Sequence, residues 1–361
     1  DLKGKRNLPI KSICQISQNE LCLGTDGKGT KIFNIPKQLI TDYPFDNNYL
    51  DSGTSKVHSV LKDNAGNLWI AIYQKGVMMI PAQPNSFKYI GYKSINKNII
   101  GSNCITSLCR DHKGILWIGT DNDGIYGITT ELKQKVHYAP HDSPSSVPST
   151  VFGLYEDSEH NLWFGSYTNG LGRLDKKTGQ CSYLQNLTDK NGNRIQRVYD
   201  LVEDQDKRLW IATMGAGLFY YDLKTGQSVY DPKFNAATKK YKWISCLLYA
   251  GDNHLYVGTY DGIRCIDLST DDFKTEEILS RHIIHSLYED PQGNIWIGNS
   301  EGLAEWNPQT QQLKTYTTAH GLSSNAVYAI KGDGQDNLWI STNAGMSRFN
   351  LNTHTFSNFY A

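Results

Sequence analysis

Six aspartates, Asp63, Asp111, Asp157, Asp204, Asp290 and Asp333, recur at near-constant intervals along the 361 residues, and carboxylates so placed could ligate cations. Their neighbours argue for another task. Asp63-Asn64-Ala65-Gly66 and Asp290-Pro291-Gln292-Gly293 read as turns whose carboxylate accepts backbone N–H groups. Asp121-Asn122-Asp123-Gly124 opens as a calcium loop does but lacks the downstream Glu at the required offset. Ten histidines include no H-x-x-x-H pair on one element, and no nucleophile elbow, phosphate loop or kinase signature is present. No metal, cofactor or catalytic residue is therefore assigned. A second set is irregular in type and follows a recurring tryptophan-centred phrase: Asp26, Tyr73, Gln74, Asp121, Asp123, Tyr167, Asn169, Met214, Tyr260, Asp261, Glu301 and Asn343. Tyr, Asp and Asn are the residue types that stack on sugars and hydrogen-bond to them. A third set, His58, Phe152, Tyr199, His285 and Tyr328, is large and lies about a dozen residues before the same phrase. An enzyme built here would draw its base from His58, His285, Tyr199 or Tyr328, beside a carboxylate.

The elements that must hold these residues follow from the phrase itself. It is anchored at Cys22, Trp69, Trp117, Trp163, Trp210, Tyr256, Trp296 and Trp339, in steps of 47, 48, 46, 47, 46, 40 and 43 residues. Twelve before each anchor stands a β-branched residue: Ile10, Val57, Ile105, Val151, Val198, Ile244, Ile284, Val327. Nine before it the residue is always aliphatic, and six before it Asp occurs in six of the eight repeats. Two after it only Gly, Ala or Ser is found. A Gly follows seven residues after the anchor in the first five repeats and six after in the last three.

Short β-branched and aromatic runs bounded by Gly, Asp and Asn predict strands joined by turns. The consecutively apolar Leu-Trp-Ile predicts a strand covered on both faces. The small residue leaves room for a large neighbour or a close backbone approach. The later Gly suits a left-handed turn into the next strand. Each unit thus reads as four strands: A (Val-x-x-Leu), B (Leu-Trp-Ile), C (Gly-Leu-x-x-Phe-Asp) and D (Phe-x-x-Tyr). A period of 40 to 48 residues with such a phrase predicts an all-β chain of β-propeller blades, each a four-stranded antiparallel sheet. The units run over about 9–50, 51–98, 99–146, 147–190, 191–238, 239–280, 281–322 and 323–361, as a single propeller over 1–361. By count the ring has eight blades. The alternative is a seven-bladed ring plus a stray repeat, with the weak first unit as the stray. An unclosed ring would leave apolar strand edges exposed.

The phrase resembles the two-component regulator propeller repeat, most clearly over Val57–Gly76, Ile105–Gly124, Val151–Gly170, Ile284–Gly302 and Val327–Gly345. The resemblance implies the ligand-sensing, extracytoplasmic part of a membrane-bound hybrid two-component sensor. It further implies a carbohydrate fragment or other small ligand, and signalling through a homodimer with the rest of the receptor polypeptide. It places the chain in the periplasm as an excised segment without its own signal or membrane span, starting as it does at Asp1. A propeller-fold polysaccharide lyase and a pure protein-interaction platform are the alternatives.

Composition agrees. The net charge is zero, with 36 basic and 36 acidic residues interspersed, so no basic stripe meets nucleic acid. No apolar run reaches membrane-spanning length. Seven cysteines without a C-x-x-C read as buried thiols, and their spacing selects no pair. In such blades the B–C and D–A loops share one edge, and the A–B and C–D turns share the other. Ligand contact is expected on the B–C loops, with strand A lining a central channel. The long connector 139–149 is a further place for function.

Overall fold

In the computed structural model, which describes residues 8–43, 54–82, 100–102, 104–129, 135–189, 191–230, 242–270 and 273–360, every repeat is one antiparallel sheet with strands in the order A-B-C-D. Seven sheets have four strands, and the second has three among the described residues. Its expected strand D falls on 83–99, outside them. Blade four is representative, with strands Val151–Glu156, Leu162–Ser166, Leu171–Leu174 and Cys181–Tyr183. Among the described residues the remaining regular element is a single 3₁₀ turn, Thr318–His320, in the connector before the last blade. The chain is therefore all-β and made of eight propeller blades. Blades one and two form one compact unit, Asp1–Asn103, and blades three to eight form another, Cys104–Ala361.

The core is a series of seams, each filled by two consecutive blades. Trp117, Val151, Leu162 and Phe164 fill the seam of blades three and four. Trp163, Leu171, Val198 and Leu209 fill the next. Strand B is covered on both faces as expected, fully so in Leu162–Ser166 and Ile295–Asn299. An anchor packs against the blade that follows it. Trp69 and Trp339 are more exposed than Trp117, Trp210 and Trp296.

The two most regular columns of the sequence turn out to be partners. A Cβ on Gly165 would lie 2.5 Å from the Val198 carbonyl oxygen and 2.7 Å from Val198 Cγ1. Gly24 meets Val57 in the same way, and so do Gly119 and Val151, Gly258 and Ile284, and Gly298 and Val327. The small residue of one blade seats the β-branched residue that opens strand A of the next. The later Gly adopts positive φ in seven repeats. Gly302 departs from that expectation: its reason is space, since an added Cβ would lie 2.7 Å from the Tyr316 carbonyl oxygen.

Two other expectations are modified. Cys22, Cys181, Cys246 and Cys265 are buried, whereas Cys14 and Cys109 are half-buried and Cys104 is exposed. Connector 139–149 is structural: Val147 is buried in a seam, and the Ser145 and Ser146 carbonyls accept from the Cys181 N–H and the Tyr183 hydroxyl.

Candidate functional site

The recurrent aspartates sit in the A–B turns and clasp their anchors. Oδ2 accepts the indole N–H of Trp69, Trp117, Trp163, Trp210 and Trp296 from Asp63, Asp111, Asp157, Asp204 and Asp290 at 2.7–2.9 Å. Oδ1 of the same carboxylates accepts a backbone N–H four residues on. The turn expectation holds, and the indole contact adds to it. Where the anchor is Cys22 or Tyr256 there is no indole N–H, and the residue six before is Ile16 or Ala250. The Trp69 indole and the Asn67 amide hold the Asp63 carboxyl below its ordinary value. These acids are structural.

At the other edge the B–C loops share a hydrogen-bonded frame, closed by a hydroxyl in six of the eight blades. A hydroxyl three residues after the anchor donates to the carbonyl of the loop Gly, as in Thr25 to Gly29, Thr120 to Gly124, Ser166 to Gly170 and Thr213 to Gly217. The next residue donates its N–H to the carbonyl just before strand A: Asp26 to Pro9, Tyr73 to Lys56, Tyr167 to Thr150, Tyr260 to Trp243. The frame is constant and its occupant is not.

Strand A supplies the second component. In all eight blades its pairing with strand B skips one position between the residues twelve and ten before the anchor. The skipped residue is a β-bulge, freed from a cross-strand partner. Those residues are the nominated His58, Phe152, Tyr199, His285 and Tyr328, and each of the following contacts its own B–C loop. His58 stacks on Tyr73 at 5.3 Å, Phe152 meets Tyr167 edge-on at 5.8 Å, and the Tyr328 hydroxyl donates to Asn343 Oδ1 at 3.0 Å. Lys11 holds the same bulge position in blade one and pairs with Asp26 at 3.5 Å.

A third column was not nominated, namely the residue thirteen before the anchor, just ahead of strand A. Arg197 of blade five lies over the Tyr167 ring at 5.2 Å, and Lys56 of blade two is 3.9 Å from Asp26 and 6.0 Å from the Tyr73 ring. Thr150 donates to Asp121 at 2.7 Å, and Trp243 meets Tyr260 edge-on at 6.0 Å. The available signal was a variable, often large residue preceding an invariant β-branched one.

Within blades four to six these columns merge into an aromatic arc. Tyr167, Phe152 and Tyr199 run in sequence, with Phe152 and Tyr199 5.0 Å apart, and Trp243 and Tyr260 continue it. Burial first, and then the neighbouring Tyr260 hydroxyl, push the Tyr199 hydroxyl above its ordinary value, so it stays neutral. Tyr167, Trp243 and Tyr260 are each 44% exposed. A half-exposed aromatic surface with a guanidinium at its border suits the apolar face of a sugar ring or an acidic substituent.

Other nominated residues stay outside the arc. Asp123 is bound by the Tyr126 hydroxyl and by His137 of its own blade at 3.3 Å. The Asn169 backbone N–H donates to Ser166 Oγ and its carbonyl accepts from Arg194, while the Asp261 carbonyl accepts from the Arg281 N–H. Glu301 pairs with His282 at 3.2 Å and its side chain is largely exposed. His285 lies 5.1 Å from Tyr328, and burial holds its imidazole below its ordinary value. Among the described residues neither of these two hydrogen-bonds a carboxylate.

These bladed sheets are those of a β-propeller. The model of the two-component regulator propeller repeat matches residues 99–122, 145–168, 189–215, 278–301 and 321–344. No curated protein matches the chain. Among solved structures, it is similar to the extracellular domain assigned to hybrid two component system BT3049 of B. thetaiotaomicron (23% identity, TM-score 0.72, 97% of this chain and 46% of that one). It is also similar to the BT4673 extracellular domain of the same organism (20%, TM-score 0.66, 98% and 49%). A third is PorZ, a surface component of the type-IX secretion system of Porphyromonas gingivalis (12%, TM-score 0.59, 94% and 62%). The chain spans about half the length of the first two, and at these identities the likeness is one of fold. No helix among the described residues is long and apolar enough to cross a membrane.

Proposed function

We propose that the chain is the ligand-sensing, non-catalytic propeller part of an extracytoplasmic two-component receptor, and that it binds an oligosaccharide on its loop edge. The observation that carries this reading is the arc of Phe152, Tyr167, Tyr199, Trp243 and Tyr260 bordered by Arg197, held on hydrogen-bonded frames. A preformed aromatic surface binds sugars without an ordering cost. In this reading binding is transmitted to the rest of the receptor polypeptide through a homodimer; the extracytoplasmic position is supported by the fold relatives, which are extracellular domains. A lyase would need a base with a carboxylate beside it. The Tyr328 hydroxyl is instead hydrogen-bonded to Asn343.

Calorimetry against neutral and acidic oligosaccharides, glycosaminoglycan fragments included, tests the proposal. The expected result is binding by a subset of the panel, weakened about tenfold or more by Tyr167→Ala. No binding across the panel, or binding indifferent to that change, overturns it. Light scattering with the rest of the receptor separates ligand sensing from a pure protein platform, which would associate without ligand.

A further inference from the structure

On the turn edge, away from the arc, the A–B turns of blades three and four bring together three donors that are far apart in sequence. His112 Nδ1 is 2.8 Å from Glu156 Oε1, and the imidazoles of His112 and His160 stack with centroids 3.7 Å apart. One ligand atom from each of His112, Glu156 and His160 lies within 4.8 Å of the others, a grouping that stands alone among the described residues. We propose that His112, Glu156 and His160 bind one divalent transition-metal ion of the zinc class across the seam of these two blades.

Three further observations support this. The His160 ring forms no hydrogen bond among the described residues, so the unprotonated nitrogen of the neutral ring has a lone pair to offer. Glu156 is fixed before any ion arrives: Oε2 accepts the His112 backbone N–H at 2.6 Å, and Lys176 Nζ donates to Oε1. Beside the cluster is a cleft of about 640 Å³ lined by His112, His160, Trp117 and Leu174, which leaves the remaining coordination positions open to water.

Metal–ligand bonds of about 2.0–2.2 Å place donors no more than roughly 4.2 Å apart, so a small rotation of one ring completes the set. Two imidazoles and one carboxylate select zinc, nickel or copper over calcium or magnesium. The ion takes the place between His112 Nδ1 and Glu156 Oε1 now held by a shared proton. Neutral His112 carries that proton on Nε2 instead, so none is gained or lost. Lys176 is the opposing group, since its ammonium would lie beside the ion.

The test is calorimetry and thermal unfolding of the tag-free chain with zinc chloride, with calcium chloride as control. Expected are one zinc per chain in the micromolar range or tighter, no calcium binding, and a rise in unfolding midpoint of about 5 °C at a hundredfold excess over Kd. His160→Asn keeps the turn, because Asn tolerates the φ of 68° found there. It should weaken zinc at least tenfold without changing metal-free stability. Lys176→Gln should tighten zinc several-fold. Absence of a stoichiometric site, or zinc binding that survives His160→Asn unchanged, overturns the proposal. Weaker binding in Lys176→Gln counts against it as well.

Discussion

The turn edge and the loop edge of each blade are built from the same sheet and use their polar residues in opposite ways. At the turn edge one carboxylate type recurs and closes on its own blade, accepting an indole N–H and backbone N–H groups within eight residues of sequence. At the loop edge the hydrogen-bonded frame recurs, while the residue it presents changes from Asp26 to Tyr73 to Tyr167 to Tyr260. Repetition in the sequence therefore marks what holds the blades together. Variation on a constant frame marks, in the function proposed above, what they offer to a ligand.

This contrast can be broken or sharpened by substitution. The largest effect is expected where two repeating columns meet. Gly165→Val forces a side chain into the Val198 carbonyl and should cost about 3 kcal/mol or more, read as a lower urea midpoint. Next comes Asp157→Ala, which leaves the buried Trp163 indole and the Asn161 N–H without their acceptor. A loss of about 2–3 kcal/mol is expected, with oligosaccharide affinity of the folded fraction unchanged.

Asp200 gives an effect of intermediate size and distinctive sign. It lies on strand A, accepts the Leu247 and Leu201 N–H groups, and burial pushes its carboxyl up to about 6. The native state thus takes up a proton before the unfolded chain does. Stability should fall as pH rises between about 4 and 6, by up to about 3 kcal/mol, and Asp200→Asn should abolish that slope and be the more stable form above pH 6. Asp111 has the opposite sign: burial opposes its charge, but the Trp117 indole, the Ile115 N–H and Lys176 outweigh it and hold the carboxyl below its ordinary value. Its contribution is full above the ordinary carboxylate range and is lost only as pH falls below it. An acid unfolding series on wild type and Asp200→Asn separates the two. The smallest effect on stability, under about 1 kcal/mol, is expected for Tyr167→Ala, which leaves the Ser166 frame in place. If Tyr167→Ala were as destabilising as Asp157→Ala, the division between the two edges would fail.

Much of this was legible because each blade repeats the same packing problem. The partnership of Gly165 with Val198 is implicit in two invariant columns, and the covariation of Trp with Asp is visible once Cys22 and Tyr256 are seen to lack both the indole and the acid. The loop-edge and bulge residues were legible as columns. What could not be read was their convergence across blades, because it depends on how far each strand is offset from the next. Arg197 and Trp243 hold a column variable in type, and only the fold lays them beside Tyr167 and Tyr260. His112 and His160 are separated by a whole repeat, so no local spacing links them. Asp123 and Glu301, whose types suggested ligand contact, pair with His137 and His282 of their own blades.

The bulge in strand A has an evolutionary corollary. A residue excused from cross-strand pairing can change size, charge and polarity without asking its sheet to re-register. Lys11, His58, Thr106, Phe152, Tyr199, Ser245, His285 and Tyr328 are eight such positions, supplied by one recurring kink. Descendants of a chain built this way can trade one recognition chemistry for another by single substitutions, while the scaffold inherits nothing of the change.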